Sequence, residues 1–316
     1  MIGSMFRLGL LTLALVGSVN AAEVTVAHNQ GEVSFAQAPQ TVAVFDLAIL
    51  DDLAALDVDV AGIPQGDLTG PLARFTASAT AVGTLFEPDV EATKALQPDV
   101  IYVGSRSARS LKTMQTIAPT LDLGTRADDF FTSVVTTLER LGRIHQREAL
   151  AAERIATLQH ARDSLLPLTR GQTALVLFTI NDRVMPHAPG ARFGIFHDLL
   201  GLAAVLPHDP GLAGPRPEPG SPEAKAQAEK QAQDLARALA AEPDWLIVLD
   251  RGMAFAEGTA TDLSSHADIT ASKAWQAGRV FQLDASDWYR VGGGWHVLRD
   301  TLDAFKARVS ETPTHQ

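Results

Sequence analysis

One pattern in this chain occurs twice. Residues 97–106 read Gln-Pro-Asp-Val-Ile-Tyr-Val-Gly-Ser-Arg, and residues 242–251 read Glu-Pro-Asp-Trp-Leu-Ile-Val-Leu-Asp-Arg. In both, a helical stretch ends at Ala-Leu or Ala-Ala, Pro-Asp turns the chain, and an apolar run leads to an arginine. Proline cannot continue a helix and biases its predecessor toward extended geometry, so Pro-Asp reads as a helix stop. The apolar run reads as a strand buried on both faces. Pro98 to Arg106 and Pro243 to Arg251 are the same interval. A helix, a stop and a buried strand in each half predict two lobes of similar α/β architecture.

The remainder of the chain alternates in the same way. Short β-branched runs at 42–45, 60–63, 100–103, 121–123, 174–179, 245–249 and 280–283 predict strands. Helical stretches such as 47–56 and 297–309 lie between and after them; in the latter, Leu298, Leu302 and Phe305 form one core-facing stripe. Residues 146–166 hold neither Gly nor Pro and predict one unbroken helix between the halves. About twenty helical residues reach about 30 Å, the width of a small domain, and such a bridge restricts hinge motion. The expected fold is therefore α/β, with two Rossmann-like lobes (22–145 and 169–316), one long rigid helix joining them (146–168), and a ligand cleft between the lobes. A further helix at 222–241 is opened by Ser221 and a proline at its first position. Its face of Ala, Gln, Glu and Lys is expected to be solvated.

The first residues carry a different kind of signal. Arg7 precedes the apolar run 8–16, and Val19 and Ala21 suit a signal-peptidase site, so 1–21 reads as a signal peptide removed near Ala21. The alternative is a retained anchor helix, although the run falls short of the ~20 apolar residues of a membrane span. With no cysteine there is neither a lipid-bearing residue nor a disulfide, and the mature protein is expected free in the periplasm. The net charge of −11 argues against nucleic acid or an anionic membrane surface as a partner. An anionic small ligand must be drawn in by a local basic cluster, so individual arginines carry information.

In open α/β sheets, ligands bind beyond the carboxyl ends of the strands. Arg106 and Arg251 end the two echoed strands, and Asp46 ends the first strand where a helix begins. Asp46 reads as an N-cap. The two arginines read either as surface ion-pair members or as planar, always-charged donors facing an anion across the cleft. Of the two tyrosines, Tyr102 lies inside an apolar run and reads as core. Tyr289 follows Trp288 and precedes Arg290 and the glycines 292–294, where ring and backbone either approach a ligand or turn a packed loop. A phenolate is also a hard oxygen donor to iron. There is no Gly-x-Gly-x-x-Gly or Walker loop, no His-x-x-x-His helix and no Gly-x-Ser-x-Gly elbow, so nucleotide binding, a zinc site and hydrolysis lack a sequence case. His197 reads as a helix-face histidine.

Taken in order, segments 42–53, 82–103, 105–107, 118–120, 191–198, 243–251 and 283–294 resemble the ferric catecholate siderophore-binding proteins of ABC importers. The resemblance spans the whole mature chain. It implies a binding protein without catalysis and without a resident cofactor, Fe(III) arriving inside the siderophore. It implies an arginine triad around the anionic complex, matched here by Arg106, Arg192 and Arg251. Tyr289 matches a tyrosine that coordinates the iron in several members, with Trp288 beside it. Many members add a histidine from a His-Gly loop; no His-Gly occurs here, and His208 is the only histidine nearby. Either a saturated tris-catecholate or a differently chelated complex is therefore expected in preference to an iron held by Tyr289 and His208, with Arg216 and Arg290 as added anion contacts. The resemblance also implies docking on an inner-membrane ABC permease through one acidic residue per lobe. Glu91 matches the first, and Asp234 is the candidate for the second. The protein is expected to act as a monomer. Another iron chelate, haem or a corrinoid is the alternative ligand, and a periplasmic scaffold using the face of 222–241 is the alternative from another class.

Overall fold

A computed structural model describes residues 23–209, 217–255 and 257–311; the expected signal peptide and Arg216 lie outside the described residues. An antiparallel hairpin of β1 (Val24–His28) and β2 (Gly31–Phe35) comes first. The first parallel sheet is built from β3 (Val42–Val44), β4 (Gly62–Ile63), β5 (Thr80–Ala81), β6 (Val100–Val103) and β7 (Thr120–Asp122), in the spatial order β5-β4-β3-β6-β7. The second sheet holds β8 (Thr173–Ile180), β9 (Arg183–His187), β10 (Ala203–Ala204), β11 (Trp245–Asp250) and β12 (Val280–Gln282). Its parallel path runs β10-β8-β11-β12, and β9 pairs antiparallel with β8. Parallel strands covered on both faces must be apolar throughout, which is why β6 and β11 are buried at every position.

Both Pro-Asp joints form, but not with the extended residue expected before proline. Gln97 and Glu242 sit at φ 51° and 50°, left-handed caps that close the helices Val90–Leu96 and Pro222–Ala240. Their N–H groups donate to the Lys94 and Leu239 carbonyls, at 3.1 and 3.0 Å. Capping two helix ends satisfies orphan carbonyls and outweighs the local pre-proline preference. The helix Pro222–Ala240 is capped by Ser221, whose Oγ accepts from Ala224 N at 3.1 Å, and among its described residues only Ala238 is buried.

The linking helix spans Glu148–Thr169 rather than 146–166. Gln146, at φ 55°, separates it from the preceding helix Phe130–Ile144. At the far end the helix runs on through Pro167, its last turn fixed by the fully buried Leu165 and Thr169. Among the described residues no helix is long and apolar enough to cross a membrane.

The C-terminal helix Trp295–Glu311 fastens the halves together. Trp295 Nε1 donates to the Arg154 carbonyl at 2.8 Å, and Lys306 Nζ to Ser164 Oγ at 2.9 Å, both on the linking helix. His296 Nδ1 lies 2.9 Å from Asp51 Oδ1 on the helix Leu47–Ala55 beside the first sheet. Phe305 packs edge-on against Trp245 and Phe281 of the second sheet, with centroids 5.1 and 4.8 Å apart. Leu298, Leu302 and Phe305 are fully buried, as their spacing predicts, and such side chains contribute about 1.5–3 kcal/mol each.

Candidate functional site

The strand ends deliver the site. After β3, Asp46 caps the helix Leu47–Ala55, accepting from Ala48 N and Ile49 N at 3.0 and 3.2 Å. Burial raises its pKa; those backbone bonds and Arg106 pull the other way. After β6 the chain turns through Gly104 and Ser105, the latter at φ 39°, and Ser107 Oγ braces the turn by bonding Gly104 N and O at 3.1 and 3.0 Å. This turn aims Arg106 away from the sheet and toward the segment Ser286–Val291, a wide helical turn that carries Tyr289. Arg106 Nη2 donates to the Tyr289 carbonyl at 2.5 Å and Nη1 to the Arg290 carbonyl at 3.1 Å.

The echoed arginine of the second sheet meets the same tyrosine. Arg251 Nε donates to the Tyr289 phenolic oxygen at 2.8 Å, and its guanidinium lies 5.2 Å from the ring centroid. Arg192 lies over the rings of Phe193 and Tyr289, at 4.7 and 5.7 Å. Phe178, near the end of β8, stacks on Tyr289 at 6.0 Å and on Phe193 at 4.8 Å. Three guanidiniums therefore converge on one half-buried tyrosine. Among the described residues, no carboxylate stands within ion-pair distance of any of the three. Arg192 is exposed, yet enough protein surrounds its guanidinium for burial to hold its pKa below the ordinary value. Arg106 adds to that depression, and Tyr289 opposes it. An uncompensated cluster of fixed positive charge in an acidic protein attracts anions.

Beside the cluster opens a cavity of about 310 Å³, lined by Arg106, Arg192, Phe193, Trp288, and the hydroxyl residues Ser105 and Thr125 among others. Arg251 and Tyr289 stand outside this lining and join it through Arg192. Behind Arg192, His187 and His197 are pushed down to about 4, chiefly by burial and for His187 also by Arg192, so both are neutral near pH 7.

The other expected site residues lie around this cluster or away from it. Trp288 is almost fully buried, donates its indole N–H to Thr301 Oγ1 at 2.8 Å, and packs on Phe196 at 4.6 Å. It forms part of the cavity floor. The Arg290 guanidinium turns away to the Asp67 carbonyl, leaving only its backbone carbonyl in the cluster. His208 faces Asp128 at 3.5 Å, and no group of three or more His, Asp or Glu able to hold a metal occurs among the described residues. Glu91 is exposed and paired with Lys94 at 2.9 Å. Asp234 is largely covered and held by Lys230 and Arg237 at 2.8 and 2.5 Å. Of the glycines after Tyr289, Gly292 lines the cavity, while Gly293 and Gly294 serve close packing. A Cβ on Gly294, which sits at φ 94°, would lie 2.5 Å from Asp51 Oδ2.

Sequence reasoning did not single out Phe86, Phe178, Phe193 and Phe255. Phe193 and Phe178 had a signal, adjacency to Arg192 and the end of a strand; the other two had none.

Two parallel-sheet lobes bridged by a helix, with unpaired arginines gathered between their strand ends, define a two-lobed solute-binding protein. The chain belongs to the periplasmic binding protein family, whose model matches residues 42–286. The petrobactin-binding protein YclQ of Bacillus subtilis is 29% identical over 292 residues, covering 90% of this chain and 87% of that one. The YclQ crystal structure matches with a TM-score of 0.78 and 26% identity, over 92% of this chain and 100% of that chain. The ferric-anguibactin-binding protein FatB of Vibrio anguillarum is 24% identical over 290 residues, covering 89% and 85% of the two chains. The periplasmic catecholate-siderophore binding protein VctP of Vibrio cholerae shares the fold, with a TM-score of 0.76 at 21% identity over 90% and 100%.

Proposed function

We propose that this chain is a non-catalytic, periplasmic solute-binding protein that carries an anionic ferric siderophore of the catecholate class to an ABC importer. The observation that carries the reading is the trio Arg106, Arg192 and Arg251 around Tyr289, without a carboxylate partner among the described residues. A tris-catecholate of Fe(III) is trianionic. Three guanidiniums match its charge, and their planar faces suit its rings. Relatives named for petrobactin and anguibactin support an iron chelate as the cargo. The Tyr289 phenolic oxygen is available as a hard donor where a chelate leaves an iron position open. His208, the candidate second iron ligand, faces Asp128 instead, which supports a saturated complex as the cargo. The protein acts as a monomer that meets its permease through exposed acidic residues, Glu91 among them.

A tryptophan-fluorescence titration tests this, because Trp288 forms part of the cavity floor. Saturable quenching by ferric catecholates, and not by ferric hydroxamates or haem, is the expected result. Quenching by haem or a hydroxamate alone would overturn the ligand assignment.

A further inference from the structure

Among the described residues, four large apolar side chains are strongly exposed: Phe86, Leu168, Met253 and Phe255. Single exposed apolar residues are ordinary on a protein surface. Here two are phenylalanines, 54% and 48% exposed, and each lies against an arginine of the unpaired cluster. The Arg106 guanidinium lies 5.9 Å from the Phe86 ring centroid, and that of Arg251 lies 5.6 Å from Phe255. Phe255 also meets the Tyr289 ring edge-on at 6.0 Å. Phe86, Arg106, Tyr289 and Phe255 thus form one continuous line of contacts from the first sheet's side to the second's.

Neither ring is exposed because its backbone is loose. Phe86 lies in a turn where Thr84 Oγ1 accepts from Phe86 N and Glu87 N at 3.2 and 2.9 Å. Arg109 Nη2 clamps the Phe86 carbonyl at 2.8 Å. The Phe255 carbonyl accepts from Gly258 N at 2.9 Å, just after the short helix Arg251–Ala254. Both loops hold an aromatic face in solvent beside a cation, which favours a flat anionic ring as the missing neighbour.

We propose that Phe86 and Phe255 are a pair of aromatic jaws, one from each lobe, that grip the aryl rings of the ferric chelate and select aryl-bearing over aliphatic ligands. The inference rests on the proposed function and names residues that select within that same site. Aromatic contacts of this kind contribute modestly, so loss of one ring is expected to weaken binding about fivefold and loss of both about thirtyfold.

The experiment measures the dissociation constant of ferric tris(2,3-dihydroxybenzoate) for the wild type, Phe86→Ala, Phe255→Ala, the double alanine variant and the double Phe→Tyr variant. Thermal melts confirm that each variant folds. Weaker binding by the alanine variants, with Tyr restoring it to within about twofold, is expected if rings are what matter. A double alanine variant that binds as tightly as the wild type would overturn the jaws and leave the anion site standing. Tyr variants as weak as the alanine ones would also overturn them. A wild type that binds no ferric catecholate would overturn the proposed function itself, and the jaws with it.

Discussion

Arg106 reaches from the turn after β6 to the backbone of Tyr289, 183 residues further along the chain, where Nη2 meets the carbonyl oxygen at 2.5 Å. The same guanidinium bonds the Arg290 carbonyl, so one side chain from the first lobe fixes two consecutive carbonyls of the segment that carries the tyrosine. Its fork does two things at once: it positions Tyr289 and adds a charge to the cluster.

Arg106→Ala is therefore expected to lower stability by about 2 kcal/mol, from two charge-assisted bonds to a half-buried backbone. It should also weaken ferric catecholate binding at least about tenfold. Arg106→Lys keeps the charge but cannot bridge both carbonyls. Lysine should recover part of the affinity and little of the stability, measured by titration and by thermal melt. Full recovery of both would show that the fork is dispensable.

Arg192 poses the opposite case. It has no carboxylate partner among the described residues, and burial together with Arg106 disfavours its charged form. Arg192→Gln is expected to leave the ligand-free protein as stable as the wild type or slightly more so, while weakening a trianionic chelate about tenfold or more. The wild-type affinity should fall with added salt more steeply than the variant's. A variant that loses stability in step with affinity would place Arg192 in the fold rather than the site.

Tyr289→Phe removes the oxygen that accepts from Arg251 Nε and keeps the ring that stacks on Phe178. With a ferric bis-catecholate, which leaves iron positions open, the wild type is expected to show a phenolate-to-iron absorption band that the variant lacks. With a saturated tris-catecholate the two spectra should coincide. Identical spectra in both cases would remove Tyr289 as an iron ligand.

Much of this was legible in the chain because buried parallel strands leave continuous apolar runs; β3, β6, β8 and β11 stand where the runs stand. The Pro-Asp echo located Arg106 and Arg251 at equivalent strand ends, and the structure brings both to one tyrosine. The hairpin partner β9 escaped, although Asn181-Asp182, at φ 48° and 59°, is the kind of pair that turns a tight hairpin. Pro186 inside it disguised an edge strand. Phe86 and Phe255 were invisible for a different reason. A phenylalanine in a loop reads the same whether its ring is core or displayed, and only burial separates the two. The glycines 292–294 read either as a ligand approach or as a packed turn; Gly292 lines the cavity, while Gly293 and Gly294 let the backbone pass Phe130 and Asp51 closely.

The segment that holds Tyr289 also carries a titrating group. Asp287 is raised to about 6, first by burial and then by Asp284, Asp51 and Asp300. Its folded pKa lies above the ordinary 3.8, so between about pH 4 and pH 6 the folded chain binds more protons than the unfolded one. The stabilisation from protonated Asp287 is present at low pH and is lost as the pH rises through 6. Asp287→Asn removes the charge at every pH. After allowance for solvent screening of a half-buried group, the variant should be more stable than the wild type by about 1–2 kcal/mol at pH 7.5. That advantage should shrink toward zero at pH 4, where the wild-type carboxyl is already neutral in the fold. Paired denaturant titrations at the two pH values check this, and an advantage that does not change with pH would mean that charge at Asp287 is not its source.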